Sequence, residues 1–122
     1  MCSSDLGVSL GAAVGVLCTA MEPRLKASVL MGGGLSPVTR SAEVDTFNFA
    51  PRIRVPTLMV NGRSDFAYPY ETSQLPLFDL LGSPPDRKQH ATFEGGHIPF
   101  RLQAVIGSIV GWFDRYLGST AG

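Results

Sequence analysis

Gly7-Val8-Ser9-Leu10-Gly11 is the stretch on which the reading of this chain turns. It is a G-x-S-x-G pentapeptide followed by small residues, Ala12 and Ala13. A serine raised on a sharp strand-to-helix turn needs neighbours without bulk, because the turn strains the backbone and brings strand and helix close. Glycines on either side of Ser9 meet that need. Such a turn places Ser9 at a helix N-terminus, where free N–H groups stabilise developing negative charge. Ser9 is therefore a candidate nucleophile, and the N–H of Leu10 a candidate donor to an oxyanion. The same five residues also fit a glycine-rich turn with an incidental serine, so the rest of the chain must decide.

Working outward, Leu10 to Ala20 is small and apolar, and Met21-Glu22-Pro23 ends it; this reads as a buried helix stopped before proline. Leu25-Lys26-Ala27-Ser28-Val29-Leu30-Met31 reads as a strand of a buried parallel sheet, ended by Gly32-Gly33-Gly34. The triple glycine lacks the lysine of a P-loop and the G-x-G-x-x-G of a dinucleotide site, so its expected role is a tight strand exit that leaves room for substrate. Residues 35–50, with Pro37, Asp45 and Asn48, form a loop or short helix. Pro56-Thr57-Leu58-Met59-Val60-Asn61-Gly62 is a second strand that runs into Arg63-Ser64-Asp65 and so projects an acid from its C-terminal end. Leu75, Phe78 and Leu81 have helical spacing over residues 71–81, with Pro76 in an early turn or at a kink. Lys88 to Phe93 is a third strand, leading to Glu94-Gly95-Gly96-His97. Leu102, Val105, Ile106, Ile109, Phe113, Tyr116 and Leu117 form the apolar stripe of a last helix, with Gly118 as its cap. The alternation predicts an α/β fold with three main parallel strands flanked by helices.

Length and charge narrow the function. The chain has 122 residues, enough for one domain. Ten basic and ten acidic residues give no net charge, so nothing points to a nucleic-acid partner or an anionic membrane surface. A 44% hydrophobic fraction fits a globular core, and no apolar run reaches the length of a membrane span. Cys2 and Cys18 are too few for a disulfide framework or a zinc site, and a reducing, cytoplasmic setting is the default. No metal or cofactor is called for.

The three reactive residues share a placement. Ser9 follows the expected turn, Asp65 lies just past one strand, and His97 just past the next. In open α/β sheets the C-terminal ends of neighbouring strands converge on one rim, where active sites assemble. His90 lies within its strand and reads as structural. Asp65 also fits a simple turn acid; Asp79 and Glu94 are weaker rivals for its role. Cys18 reads as core. Tyr68, Tyr70 and Phe100 are candidates for an acyl pocket, although aromatics near strand ends usually serve packing.

Three segments, Gly7 to Gly11, Val55 to Asp65, and Glu94 to His97, resemble the signatures of α/β-hydrolases, which share the order serine, acid, histidine. Pro69-Tyr70-Glu71-Thr72-Ser73-Gln74 and Trp112 to Gly118 resemble the dienelactone-hydrolase and prolyl-oligopeptidase-like branch, including bacterial hydrolase domains fused to protein kinases. The resemblance runs over residues 7–118 and implies the C-terminal half of that fold, with 119–122 as a tail. It implies a serine hydrolase of carboxylic esters or small amides, with Ser9 as nucleophile, His97 as base then acid, Asp65 as its orienter and Leu10 N–H as one oxyanion donor. The family's second donor lies upstream of the pentapeptide, which implies fusion or association with a larger upstream region. The alternative is a non-catalytic fragment or accessory binding module.

Residues 1–6 fit neither a secretion signal nor the Val/Ile-rich strand expected before Ser9. Cys2-Ser3-Ser4-Asp5-Leu6 is what a common sequencing-library adapter gives when translated, so this lead-in is expected to be non-native.

Overall fold

The computed structural model describes residues 3–36, 41, 43, 45–97 and 102–118. Met1, Cys2, Pro37, Phe100 and the tail 119–122, all singled out from sequence, lie outside the described residues.

Strands β1 (Ser3–Val8), β2 (Leu25–Met31), β3 (Thr57–Gly62) and β4 (Lys88–Phe93) form one sheet in the order β1-β2-β3-β4. Each neighbouring pair is parallel. Helix α1 (Leu10–Met21) links β1 to β2. The short α2 (Thr46–Phe49), capped by the Asp45 carboxylate, lies between β2 and β3. Helix α3 (Leu75–Leu80) links β3 to β4, and α4 (Leu102–Leu117) follows β4.

The core has two halves, one on each face of the sheet. Leu30 and Met59 point to one face and pack with Ala12 and Val16 of α1, with Ala50 and Ile53, and with Leu77 and Leu81. Val29, Leu58 and Val60 point to the other and pack with Val105 and Trp112 of α4. Alternate residues of each strand thus feed opposite layers, and β3, buried at every position, is the centre of the sandwich. Within α4 the inward line is Val105, Ile109, Trp112 and Tyr116, whereas Leu102 and Ile106 are exposed. Trp112 adds area that the aliphatic stripe alone would not bury.

Four strands, not three, make the sheet. Ser3, Ser4 and Asp5 have weak strand propensity, so β1 is invisible as a local pattern. It exists through its partner: Ser4 to Val8 run in register against Ala27 to Met31. Ser9 therefore does have a strand in front of it, contrary to expectation.

The helix expected over residues 71–81 is really two pieces. A wide turn over Tyr70–Gln74, in which Leu75 N–H reaches back five residues to the Tyr70 carbonyl, precedes α3. Pro76 supplies the reason: it has no N–H to donate, and its ring would press on the carbonyl four residues back in a regular helix. Cys18 is exposed rather than core, because the buried side of α1 is Ala12, Gly15, Val16 and Thr19. Among the described residues no helix is long and apolar enough to cross a membrane.

Asp5 is the discordant residue of β1. Its carboxylate faces Gly15 of α1 and accepts from Ser28 Oγ at 3.5 Å, which in turn accepts from Thr19 Oγ1 at 3.2 Å. Burial pushes its carboxyl above the ordinary 3.8, with the Ser28 and Thr19 hydroxyls opposing. The folded state then holds this proton to higher pH than the unfolded chain does. Stability is accordingly lost as pH climbs from 3.8 through the raised value. Asp5→Asn is expected to melt higher than the parent at about pH 7 and to lose that advantage near about pH 3. Thermal melts of both proteins across that range check this; a constant difference would refute it.

Candidate active site

Three parallel strands end at one rim, and each delivers one of the three side chains. Val8 at the end of β1 hands the chain to Ser9, whose φ of 57° is the single positive value among described non-glycine residues. A serine held in that region is strained and persists only where its surroundings fix it. Ser9 N–H donates to the Met31 carbonyl at 2.8 Å, and its own carbonyl accepts from Ala12 N–H at 2.9 Å, so β2 and α1 both hold the turn. A Cβ on Gly7 would run into the Gly11 carbonyl and lie 2.9 Å from Ala12 Cα. Gly7 is therefore the glycine that the close approach of β1 and α1 requires. A Cβ on Gly11 would meet nothing within 4 Å, so the second glycine is not demanded by packing.

The acid comes from the loop after β3. Asp65 is buried, and its Oδ1 accepts from the N–H groups of Ala67 at 2.8 Å and Tyr68 at 3.1 Å. These two bonds fix the carboxylate plane and leave Oδ2 free for one more donor. His97 Nδ1 lies 2.8 Å from that oxygen, and His97 Nε2 lies 2.7 Å from Ser9 Oγ. An ionised carboxylate only accepts, so the proton sits on Nδ1 and Nε2 is left to accept from the serine hydroxyl. The acid is sealed from water, while the His97 side chain keeps 29% of its surface. The Tyr68 ring stacks on His97 at a centroid distance of 6.0 Å.

The acid and histidine loops are tied together by backbone. Arg63 N–H donates to the Phe93 carbonyl and Ser64 N–H to the Gly95 carbonyl, each at 2.9 Å. Leu10 is the first residue of α1, and an N–H at that position has no partner within its helix.

The rivals stand elsewhere. His90 Nε2 is 3.1 Å from Asn61 Oδ1, and its ring stacks with Tyr70 and Phe78. Burial, and then the Arg63 charge, push its pKa down. Asp79 and Glu94 are exposed. Tyr70 belongs with His90 and Arg63, away from Ser9.

Gly32, Gly33 and Gly34 are buried, and Gly32, at a φ of 68°, borders the site: a Cβ there would lie 3.6 Å from His97 Cε1 and 3.7 Å from Ser9 N. A Cβ on Gly33 would lie 2.7 Å from Ala12 Cβ, and one on Gly34 would run into Ser73 Oγ. Gly33 and Gly34 let α1 and the Tyr70–Gln74 turn close over the sheet. Asn61 was not singled out from sequence; its Nδ2 donates to the Gly33 carbonyl at 2.8 Å and holds that strand exit. A polar residue directly after the apolar run Leu58-Met59-Val60 was the available signal. Among the described residues no group of three or more His, Cys, Asp or Glu is placed to hold a metal ion.

No known protein-family model and no curated protein sequence matches the chain. Solved structures do. A cold-adapted esterase from an Arctic intertidal metagenomic library superposes with a TM-score of 0.77 at 24% identity, over 92% of this chain and 48% of that one. The esterase domain of a Rhodothermus marinus protein gives 0.76 at 21% identity, over 95% and 61%. A Paleococcus ferrophilus monoacylglycerol lipase gives 0.72 at 18% identity, over 89% and 66%. The chain spans about half the length of the first of these.

Proposed function

Starting from an α/β-hydrolase fold, we propose that this chain carries the catalytic residues of a serine hydrolase that cleaves carboxylic esters. The observation that carries the reading is the unbroken run of hydrogen bonds from Ser9 Oγ through His97 to Asp65. A serine hydroxyl is a poor nucleophile until a base takes its proton. His97 Nε2 takes it as Oγ attacks the acyl carbonyl, and Asp65 holds the imidazole and stabilises its cation. The tetrahedral oxyanion accepts from Leu10 N–H. Collapse expels the alcohol, which leaves with the proton from His97, and Ser9 is left acylated. Water, deprotonated by His97, then attacks the acyl-enzyme; the acid leaves and Ser9 regains its proton. Small amides would follow the same course, but the similar structures are those of two esterases and a monoacylglycerol lipase, which favours esters. A small-molecule substrate and a cytoplasmic setting belong to the same proposal.

A second reading, a binding module that does not catalyse by itself, is favoured by one feature. Leu6 and Val8 of β1 are 50% and 52% exposed, because α4 packs over β2 and β3 instead. Larger upstream sequence would cover such a strip and supply the second oxyanion donor, whose loss costs roughly 100- to 1,000-fold in rate.

Treatment with a fluorophosphonate probe tests the first reading. Ser9 is expected to be labelled, and Ser9→Ala to remain unlabelled. An upstream-extended chain is expected to react faster. Absence of label from both lengths would remove the hydrolase assignment.

A further inference from the structure

The loop that carries Asp65 leaves β3 at Gly62 and turns back at Tyr68. Across its mouth lies one side chain, that of Gln74. It is fully buried, and its Nε2 donates to two carbonyls, Gly62 at 3.0 Å and Tyr68 at 2.8 Å. Both amide protons are thereby used, one on each end of the loop. Its Oε1 is buried without a hydrogen-bond partner, which makes this an expensive residue to keep inside. An apolar side chain of similar length would fill the space without that cost, but it could not close the loop.

We infer that Gln74 is a positioning residue that sets Asp65 and His97 by clamping both ends of the acid loop. The connection runs through Tyr68. The peptide N–H of Tyr68 donates to Asp65 Oδ1, its carbonyl accepts from Gln74, and its ring lies on His97. Moving Tyr68 therefore moves the carboxylate and unseats the imidazole together. Gln74 itself is held from outside the loop. Its own N–H and that of Ser73 donate to the Pro69 carbonyl at 3.1 Å and 2.9 Å. Leu35 N–H donates to the Ser73 carbonyl, and Ser73 Oγ returns a bond to the Leu35 carbonyl. The clamp is thus anchored to the segment beyond β2, independently of the catalytic strands.

The inference rests on the proposed serine hydrolase, and its test separates the two. Gln74→Met keeps length and removes the donor. Its fluorophosphonate labelling is expected to slow by about 10- to 100-fold, the range that a small misplacement of catalytic groups costs. The downfield proton resonance of His97 Nδ1–H is expected to shift or vanish, with circular dichroism unchanged. A purely structural role would lower the melting temperature and leave that resonance and the rate in place; that result overturns the inference. If the parent protein is not labelled at all, the hydrolase reading fails, and the resonance alone still decides whether Gln74 positions His97. If Gln74→Met does not fold, the parent decides: both Gln74 Nε2 protons are expected to exchange slowly with solvent, and exchange at the rate of a free amide overturns the clamp.

Discussion

Replacing His97 with glutamine is expected to slow fluorophosphonate labelling of Ser9 by at least about a thousandfold while the chain stays folded. Glutamine can reach Ser9 Oγ or Asp65 Oδ2 by hydrogen bonding, but its amide cannot accept a proton at neutral pH. The Ser9 hydroxyl then loses its only base, and what rate survives comes from binding and the Leu10 N–H. The fold is expected to persist because His97 follows the last strand and keeps part of its surface in water. Truncation there opens no cavity in either half of the core.

The comparison with His90 makes the result specific. His90→Gln is expected to keep labelling within about threefold of the parent but to lower stability. The substitution gives up ring stacking on Tyr70 and Phe78, worth about 0.5–1.5 kcal/mol for each pair. Labelling rates and urea midpoints of the two variants should therefore fall on opposite axes. Equal rate losses would mean that the two histidines are not distinguished in the way the hydrogen bonds imply.

What was legible in the sequence was what the local pattern itself enforces. β2 reads as a strand over Leu25–Met31 because a short, largely apolar run, closing on Val29, Leu30 and Met31, ends at a glycine cluster, and the strand covers that same span. Ser9, Asp65 and His97 follow β1, β3 and β4, and they meet at one rim because parallel strands all end on the same side. Features made by partners across the fold were not legible. β1 depends on pairing with β2, not on its own serines. The exposure of Cys18 follows from which side of α1 meets the sheet, and periodicity cannot choose that side when small and apolar residues surround the helix and its one hydroxyl, Thr19, is itself buried. Gln74 did carry a signal that went unread. It stands three residues before Leu77 and seven before Leu81, on the inward line of that helical segment, where a polar residue needs a reason to be buried.

Gly62→Ala is expected to have the largest effect on fold and site together. Gly62 ends β3 opposite Phe93 of β4. A Cβ there would run into the Gly96 carbonyl oxygen, and would lie 2.7 Å from the Gly95 oxygen and 2.8 Å from the Gly96 carbonyl carbon. All three atoms are backbone, so no rotamer change relieves the overlap; the histidine loop must move. Forced shifts of this kind cost about 1–3 kcal/mol. The movement also strains the bonds from Arg63 and Ser64 to Phe93 and Gly95, each worth about 1 kcal/mol. Against a total stability of about 5–15 kcal/mol for a typical domain, that is a substantial fraction. Whatever fraction of Gly62→Ala folds should hold His97 away from Asp65, so labelling per folded molecule should drop along with the urea midpoint. Gly96→Ala is the matched control. Its added methyl would come no closer than 3.9 Å to the Ser64 carbonyl oxygen, and it should keep both the midpoint and the labelling rate near those of the parent. The two substitutions add the same methyl group on facing sides of one loop contact. A large difference between them would tie the acid and histidine strands together through the backbone approach at Gly62, whereas equal effects would place the control of that contact elsewhere.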